Sequence, residues 1–98
     1  MIYEFHPEAE QEFVETAVYY ERNVRGLGER FGGEVRHALE RLLEYPELGV
    51  PMDAELRRLM LTRFPYSLIY NVTADVLRVV AVAHARRRPN YWRSRVNP

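Results

Sequence analysis

Cysteine and lysine are both missing from this chain of 98 residues. Without cysteine the protein has no disulfide, no thiolate metal site and no cysteine nucleophile. Without lysine it has no amine to act as a base, to form a Schiff base or to serve as a P-loop lysine. The longest apolar run, Val79 to Ala83, is far too short to span a bilayer, and the first residues do not form a signal-peptide pattern. We therefore expect a cytoplasmic protein with no membrane partner.

The common catalytic and cofactor motifs are absent as well. No G-x-S-x-G, Walker or Rossmann glycine pattern occurs. The three histidines, His6, His37 and His84, lack the spacing of metal ligands. We expect no metal and no cofactor. The length and the 47% of apolar residues predict one globular domain over residues 1–98.

Charge is divided unevenly along a chain whose formal net charge is zero. Residues 1–56 hold 5 arginines and 13 acidic residues, a net −8, whereas residues 57–98 hold 9 arginines and 1 aspartate, a net +8. The chain thus has an acidic half and a basic half. A concentrated basic surface on a neutral protein favours a nucleic acid or an acidic peptide as partner.

The acidic half predicts a short strand and two helices. Residues 1–5 alternate between apolar and polar types, which is typical of a strand. Apolar residues then recur at spacings of three and four, which predicts one helix over roughly 7–23 and a second that ends before Pro46. The glycine-containing break between them makes the helices an antiparallel hairpin. We interpret the glutamates on the outer helix faces as solvated, with a docking surface for a basic partner as the alternative.

The basic half predicts an antiparallel sheet. Strand patterns cover 56–63, 66–73 and 76–83, and the proline-rich residues 46–55 form an irregular connection. The basic tail that follows has a proline able to open a short final helix. The predicted fold is α+β: a short N-terminal strand, then a helical hairpin packed on an antiparallel sheet of three to four strands. The first strand is expected beside the third or fourth strand in chain order.

Arginines dominate the candidate site, because planar guanidinium groups suit phosphate oxygens and aromatic rings among them can stack on bases. Arg57 and Arg58 point to opposite faces of a strand, so only one of them belongs to such a surface. Trp92 is expected in the core. His84 is either a general acid or base near neutral pH or a structural hydrogen-bonding group at a strand end. The candidate target-binding residues are Arg58, Arg63, Arg86, Arg87, Arg88, Tyr91, Arg93 and Arg95.

Several segments together resemble the RelE/ParE toxin superfamily, the toxins of type II toxin–antitoxin modules. The most specific are RFPYSLIY and, after a short turn, VLRVVAVAHARRRPNYWRSR. The opening HPEAEQEF, the YYE at 19–21 and the Gly-Leu-Gly turn match as well. The chain is more similar to the ParE-like, plasmid-stabilisation group than to RelE.

The resemblance implies a cognate antitoxin, assembly into a toxin–antitoxin hetero-oligomer, and growth inhibition by one of two routes. A ParE-like toxin binds a type II topoisomerase such as DNA gyrase. A RelE-like toxin cuts mRNA on the ribosome without a metal, and the residues available for that chemistry are His84, Tyr91, Arg63 and Arg86. The lysines on which RelE chemistry depends are absent. A third alternative is a binding module that has lost toxicity.

Overall fold

The computed structural model describes residues 1–53 and 55–96. Its helices and strands follow one another in the order that the sequence predicts, with one additional strand. In chain order they are β1 (Ile2–Phe5), α1 (Pro7–Asn23), α2 (Leu27–Glu44), a 3-10 helix (Pro46–Leu48), β2 (Val50–Pro51), β3 (Arg57–Met60), β4 (Tyr66–Thr73), β5 (Val76–His84) and a second 3-10 helix (Arg93–Arg95). Neither α-helix combines the length and apolar character needed to cross a bilayer, over the residues described.

Local chemistry explains where the helical hairpin begins and turns. His6 caps α1, because its Nδ1 accepts the N–H of Glu8 at 3.1 Å, and proline occupies the first helical turn. Between the helices Gly26 has a φ of 84°, which glycine adopts without strain. The Glu21 carboxylate accepts the N–H of Gly26 at 2.8 Å and that of Gly28 at 3.0 Å, so α1 supplies the N-terminal cap of α2.

The sheet has five strands in the order β1-β5-β4-β3-β2. The α+β class is confirmed, and β1 lies beside the last strand. Two details of the predicted sheet are wrong. It has more than the predicted three to four strands, because residues 46–55 contribute β2, and it is not purely antiparallel, because β1 pairs with β5 in parallel. No tight turn joins β1 to β5, so no turn fixes their relative direction. β2 has two residues, too few for a periodicity to reveal.

β3 is shorter than the predicted strand 56–63, because the chain leaves the sheet after Met60. Pro65, which has no N–H to donate, precedes the first residue of β4. β4 and β5 then pair around a two-residue turn, in which Ala74 and Asp75 have φ of 51° and 67°. Their register shifts once, between Ile69 and Tyr70, so that Val80 of β5 has no partner in β4. A turn with positive φ at both central residues matches the right-handed twist of paired strands.

Apolar side chains cover both faces of the sheet. On one face the helices pack against the sheet, with Phe31, Val35, Leu39 and Leu42 in one cluster with Leu68, Tyr70, Leu77, Val79 and Val82. On the other face the C-terminal segment, residues 91–96, packs through Tyr91, Trp92 and Val96 on Leu56, Ile69, Val80, Ala81 and Ala83. Trp92 is only 7% exposed, which confirms its predicted place in the core. The molecule therefore has three layers, and the basic tail is the third.

Candidate functional site

The two consecutive arginines at the start of β3 separate to opposite faces of the sheet. Arg57 lies on the helix side, where its guanidinium donates to the carbonyl oxygens of Glu47 at 3.1 Å and Gly49 at 2.8 Å. Arg58 lies on the opposite face and its Nε donates to Ser67 Oγ at 3.2 Å. Arg57 thus anchors the connection before β2, and Arg58 is the one available to an arginine surface.

Three consecutive arginines, Arg86, Arg87 and Arg88, form the turn after β5 and are all exposed. Within residues 1–53 and 55–96 none of them has a carboxylate in ion-pair range. The Arg87 guanidinium lies 3.9 Å from the centre of the Tyr91 ring, a cation–π contact that holds it against the C-terminal segment. The turn therefore presents three positive charges that form no ion pair within the described chain, although Arg87 lines a depression that also includes Glu12 and Glu15.

Arg93 and Arg63 lie apart from that turn. Arg93 donates to the Asp53 carboxylate at 3.1 Å, a partly exposed ion pair. Arg63 lines a groove of about 570 Å³ between α2 and the β3–β4 connection. That groove has an apolar floor and three further basic residues, Arg30, His37 and Arg41.

Tyr91 and Arg95 converge on one carboxylate, that of Glu12. The Arg95 guanidinium makes a two-pronged contact with it, at 3.0 and 2.8 Å, and the Tyr91 hydroxyl donates to it at 2.9 Å. The side chains of Arg95 and Glu12 are only 7% and 15% exposed. Burial, together with the hydrogen bond to Glu12, raises the pKa of Tyr91, so its hydroxyl stays protonated at neutral pH.

Glu12 and Arg95 also cover the edge of β5 that has no neighbouring strand. β1 pairs with β5 only as far as Val79, so the rest of β5 has no neighbouring strand on that side. Glu12 accepts the N–H of Val82 at 2.9 Å, and Arg95 donates to the carbonyl of Val80 at 3.0 Å. These bonds replace a missing strand at an edge that would otherwise leave polar backbone groups unpaired. Arg95, Glu12 and Tyr91 therefore lock the third layer to both α1 and β5.

His84 is the last residue of β5 and stands between Tyr66 and the arginine turn. Its Nδ1 accepts the N–H of Arg86 at 2.9 Å, and its ring meets that of Tyr66 edge-on with centres 4.9 Å apart. Because Nδ1 is an acceptor, the neutral ring carries its proton on Nε2. This is the structural hydrogen bond at a strand end that the sequence allowed, and it leaves Nε2–H free to donate.

Several of the candidate residues line a small depression on the sheet face opposite the helices. It has a volume of about 160 Å³. Arg58, Ser67, Arg87 and Asn90 supply polar lining, and Ile69, Ala83 and Trp92 supply apolar lining. His84 also borders the depression, but its ring packs against Tyr66 on the helix side, where it lines a second depression with Glu12, Glu15 and Arg87. We call this the arginine depression. It lies next to the exposed turn 86–88, since Arg87 belongs to both.

Comparison with known proteins identifies the family of this chain. A family model described as the ParE toxin of the type II toxin–antitoxin system parDE matches residues 3–89. The chain belongs to the ParE toxin family. This confirms the resemblance and places the protein among the toxins of type II toxin–antitoxin systems.

One solved structure agrees with this ParE fold. It is described as the chromosomal ParDE TA system from P. aeruginosa, and it matches with a TM-score of 0.63 and 18% sequence identity. The match covers 86% of this chain and 95% of that chain. At this level of identity the likeness establishes the fold. No curated protein sequence matches the chain.

Sequence reasoning missed one residue that organises this ParE-family structure. Glu12 is not singled out from the helix glutamates in the sequence analysis, yet its carboxylate is buried among four donors. One signal was available, since Glu12 lies three residues after the buried Ala9 and next to Phe13 on the packed side of α1. Ser67 and Asn90 gave no such signal, because only strand pairing and the fold of the tail bring them to the depression.

Proposed function

We propose that this protein is the active toxin of its module, that it inhibits DNA gyrase by binding to it, and that a cognate antitoxin neutralises it in the cytoplasm. Membership of the ParE toxin family supports the general role. The observation that carries the mode of action is the exposed arginine turn, residues 86–88, beside the arginine depression. Such a surface suits a target that works on nucleic acid, because the DNA it carries is polyanionic.

The state of the candidate acid–base groups favours binding over RNA cleavage. The Tyr91 hydroxyl is committed to Glu12, and its raised pKa disfavours proton release. His84 uses Nδ1 for a backbone contact and carries its proton on Nε2 when neutral, so it is not arranged as a free base. Arg63 lies in a separate groove, away from His84 and Arg86. The four residues considered for mRNA cleavage are thus not gathered into one site.

The groove between α2 and the β3–β4 connection supports the antitoxin part of the proposal. Its floor includes Leu59, Leu61 and Phe64, and its rim is basic. Its acidic member, Glu34, accepts the backbone N–H groups of Thr62 and Arg63, so this carboxylate is already held by donors of the β3–β4 connection. An acidic, amphipathic segment of an antitoxin has the complementary character for docking there and completing a hetero-oligomer.

Expression without antitoxin tests the proposed target. Methionine and thymidine incorporation are followed in one culture during the first minutes after induction. We expect thymidine incorporation to fall first while methionine incorporation continues, because inhibited gyrase stops replication before it stops translation. An early collapse of methionine incorporation would instead point to mRNA cleavage, and unchanged growth would identify a non-toxic binding module.

A further inference from the structure

The three consecutive arginines of the exposed turn are alike in sequence but differ in what holds their side chains. The backbone of the turn is fixed, because His84 accepts the N–H of Arg86 through Nδ1 at 2.9 Å and the N–H of Arg87 through its carbonyl oxygen at 3.0 Å. Among the described residues, the side chains of Arg86 and Arg88 make no ion pair and no cation–π contact. Within the same part of the chain, Arg87 alone adds a held guanidinium to this fixed backbone.

Tyr91 supplies the surface on which the Arg87 guanidinium lies. The centre of the Tyr91 ring is 3.9 Å from the guanidinium carbon, which is a close stacking distance. A guanidinium that stacks through its flat face keeps its N–H groups directed outward in its own plane. Arg87 therefore retains the donors for a bidentate contact with an oxyanion, while the orientation of its guanidinium is already set.

The Tyr91 ring is in turn fixed by contacts of its own. Its hydroxyl donates to the Glu12 carboxylate at 2.9 Å, and its ring meets that of Trp92 edge-on, with centres 5.3 Å apart. Trp92 is buried against the sheet, so this contact ties Tyr91 to the packed third layer. A continuous series of contacts thus runs from the core through Tyr91 to Arg87.

Two carboxylates lie near Arg87, yet neither pairs with it. Arg87 lines a depression with Glu12 and Glu15 on the helix side of the sheet. Glu12 already accepts hydrogen bonds from four donors of other residues, and Glu15 accepts one from Gln11 at 2.9 Å. Among the described residues Arg87 forms an ion pair with neither carboxylate. Its guanidinium is therefore oriented by its surroundings but still available to an external oxyanion.

We propose that Arg87 is the specificity-determining residue of the arginine turn and that Tyr91 is its positioning residue. Binding through a flexible arginine costs the entropy of fixing a long side chain, and this cost is smallest for a guanidinium that is already stacked. Arg86 and Arg88 contribute attraction at longer range, which salt screens. This inference rests on the proposed binding function of the turn and identifies which of its three charges makes the defined contact with an oxyanion of the target.

Isotope-labelled arginine reports the order of these side chains by NMR in the full-length protein, without any target. We expect the Tyr91 ring to shift the δ-protons of Arg87 upfield, and the Arg87 Nε–H to show less picosecond-to-nanosecond motion than those of Arg86 and Arg88. Tyr91→Phe keeps the ring and should keep both signatures, whereas Tyr91→Leu should lose both. The two variants lose the same hydroxyl contact with Glu12, so their difference isolates the stacking from the stability of the third layer.

Single substitutions test the role of Arg87 in binding, with supercoiling by purified DNA gyrase as the readout. Arg86→Gln, Arg87→Gln and Arg88→Gln each remove one charge, so the series is matched in net charge. We expect Arg87→Gln to raise the toxin concentration for half-inhibition about tenfold or more, because a charge-assisted contact is lost. Each neighbouring substitution should raise it by less than about threefold, as for an exposed charge. Tyr91→Leu should behave like Arg87→Gln, and Tyr91→Phe like the wild type.

Two results overturn the inference: equal mobility of the three arginine side chains in the wild type, or equal losses of inhibition by the three single substitutions. The first removes the preorganised contact, and the second shows a response to net charge alone. Failure of the proposed function looks different. The wild type then leaves supercoiling unaffected, whereas the spectra still confirm or refute the fixed position of Arg87.

Discussion

Replacing Glu12 by glutamine will cost this protein about 3–5 kcal/mol of folding free energy, because it leaves a buried arginine without its counter-charge. The Arg95 side chain is 7% exposed, and both of its terminal nitrogens donate to the Glu12 carboxylate. The loss is large against a total stability of about 5–15 kcal/mol for a domain of this size. Unfolding in urea, followed by Trp92 fluorescence, measures the change on the segment that Glu12 holds.

Glu8→Gln is the matched control for this prediction. Glu8 lies on the same helix and approaches the same guanidinium at 3.6 Å, but its side chain is 63% exposed. An exposed ion pair contributes at most about 1 kcal/mol, so this variant should stay close to the wild type. Removing both partners, Glu12→Gln with Arg95→Met, should recover part of the loss, since no unpaired charge then remains. Equal stability of Glu12→Gln and Glu8→Gln would contradict the role assigned to Glu12.

Gly28→Ala will destabilise the helical hairpin by about 1–3 kcal/mol through overpacking. A Cβ at this position would overlap the carbonyl oxygen of Ala17 and lie 2.9 Å from Glu21 Cβ. The first contact is with backbone of α1, so the helices must separate, and Glu21 must release the α2 N–H groups that it caps. For a protein of about 100 residues each kcal/mol corresponds to about 4–8 °C in Tm.

Gly33→Ala should have the opposite sign. Gly33 also lies within α2, but a Cβ there would meet only the end of the Arg36 side chain, at 4.0 Å. Alanine in place of glycine inside a helix stabilises it by about 0.5–1 kcal/mol. Thermal unfolding should therefore give the highest Tm for Gly33→Ala, an intermediate Tm for the wild type and the lowest Tm for Gly28→Ala. A Gly28→Ala variant at or above the wild type would show that the helices do not meet so closely at this point.

Most of the fold was predictable from local patterns. The helix over Pro7–Asn23 and the strand over Tyr66–Thr73 have the predicted bounds, because each carries a clear periodicity and a proline marks where it begins. What the sequence did not reveal depends on contacts across the fold. β2 is two residues long and exists because it pairs with β3, and β1 pairs in parallel with a strand that follows it by about 70 residues, with no short connection to indicate the direction.

The candidate site was predictable in composition rather than in arrangement. The excess of arginine in the second half of the chain indicated a basic surface, and the alternation rule correctly separated Arg57 from Arg58. Sequence order did not show that Arg63 lies in a different groove or that Arg95 turns inward to Glu12. The placement of Arg95 comes from a partner 83 residues away in the chain, and that of Arg63 from the packing of the β3–β4 connection beside α2, neither of which a local pattern encodes.

Supercoiling by purified DNA gyrase, measured with and without the purified toxin, tests the central claim most directly. We expect the wild type to inhibit supercoiling, and the variant with Arg86, Arg87 and Arg88 all changed to glutamine to lose most of that inhibition. A variant with the exposed arginines Arg22, Arg25 and Arg36 of the helical hairpin changed in the same way has the same net charge and should inhibit like the wild type. Undiminished supercoiling at saturating wild-type toxin, with mRNA cut on ribosomes in a parallel reaction, would contradict the account.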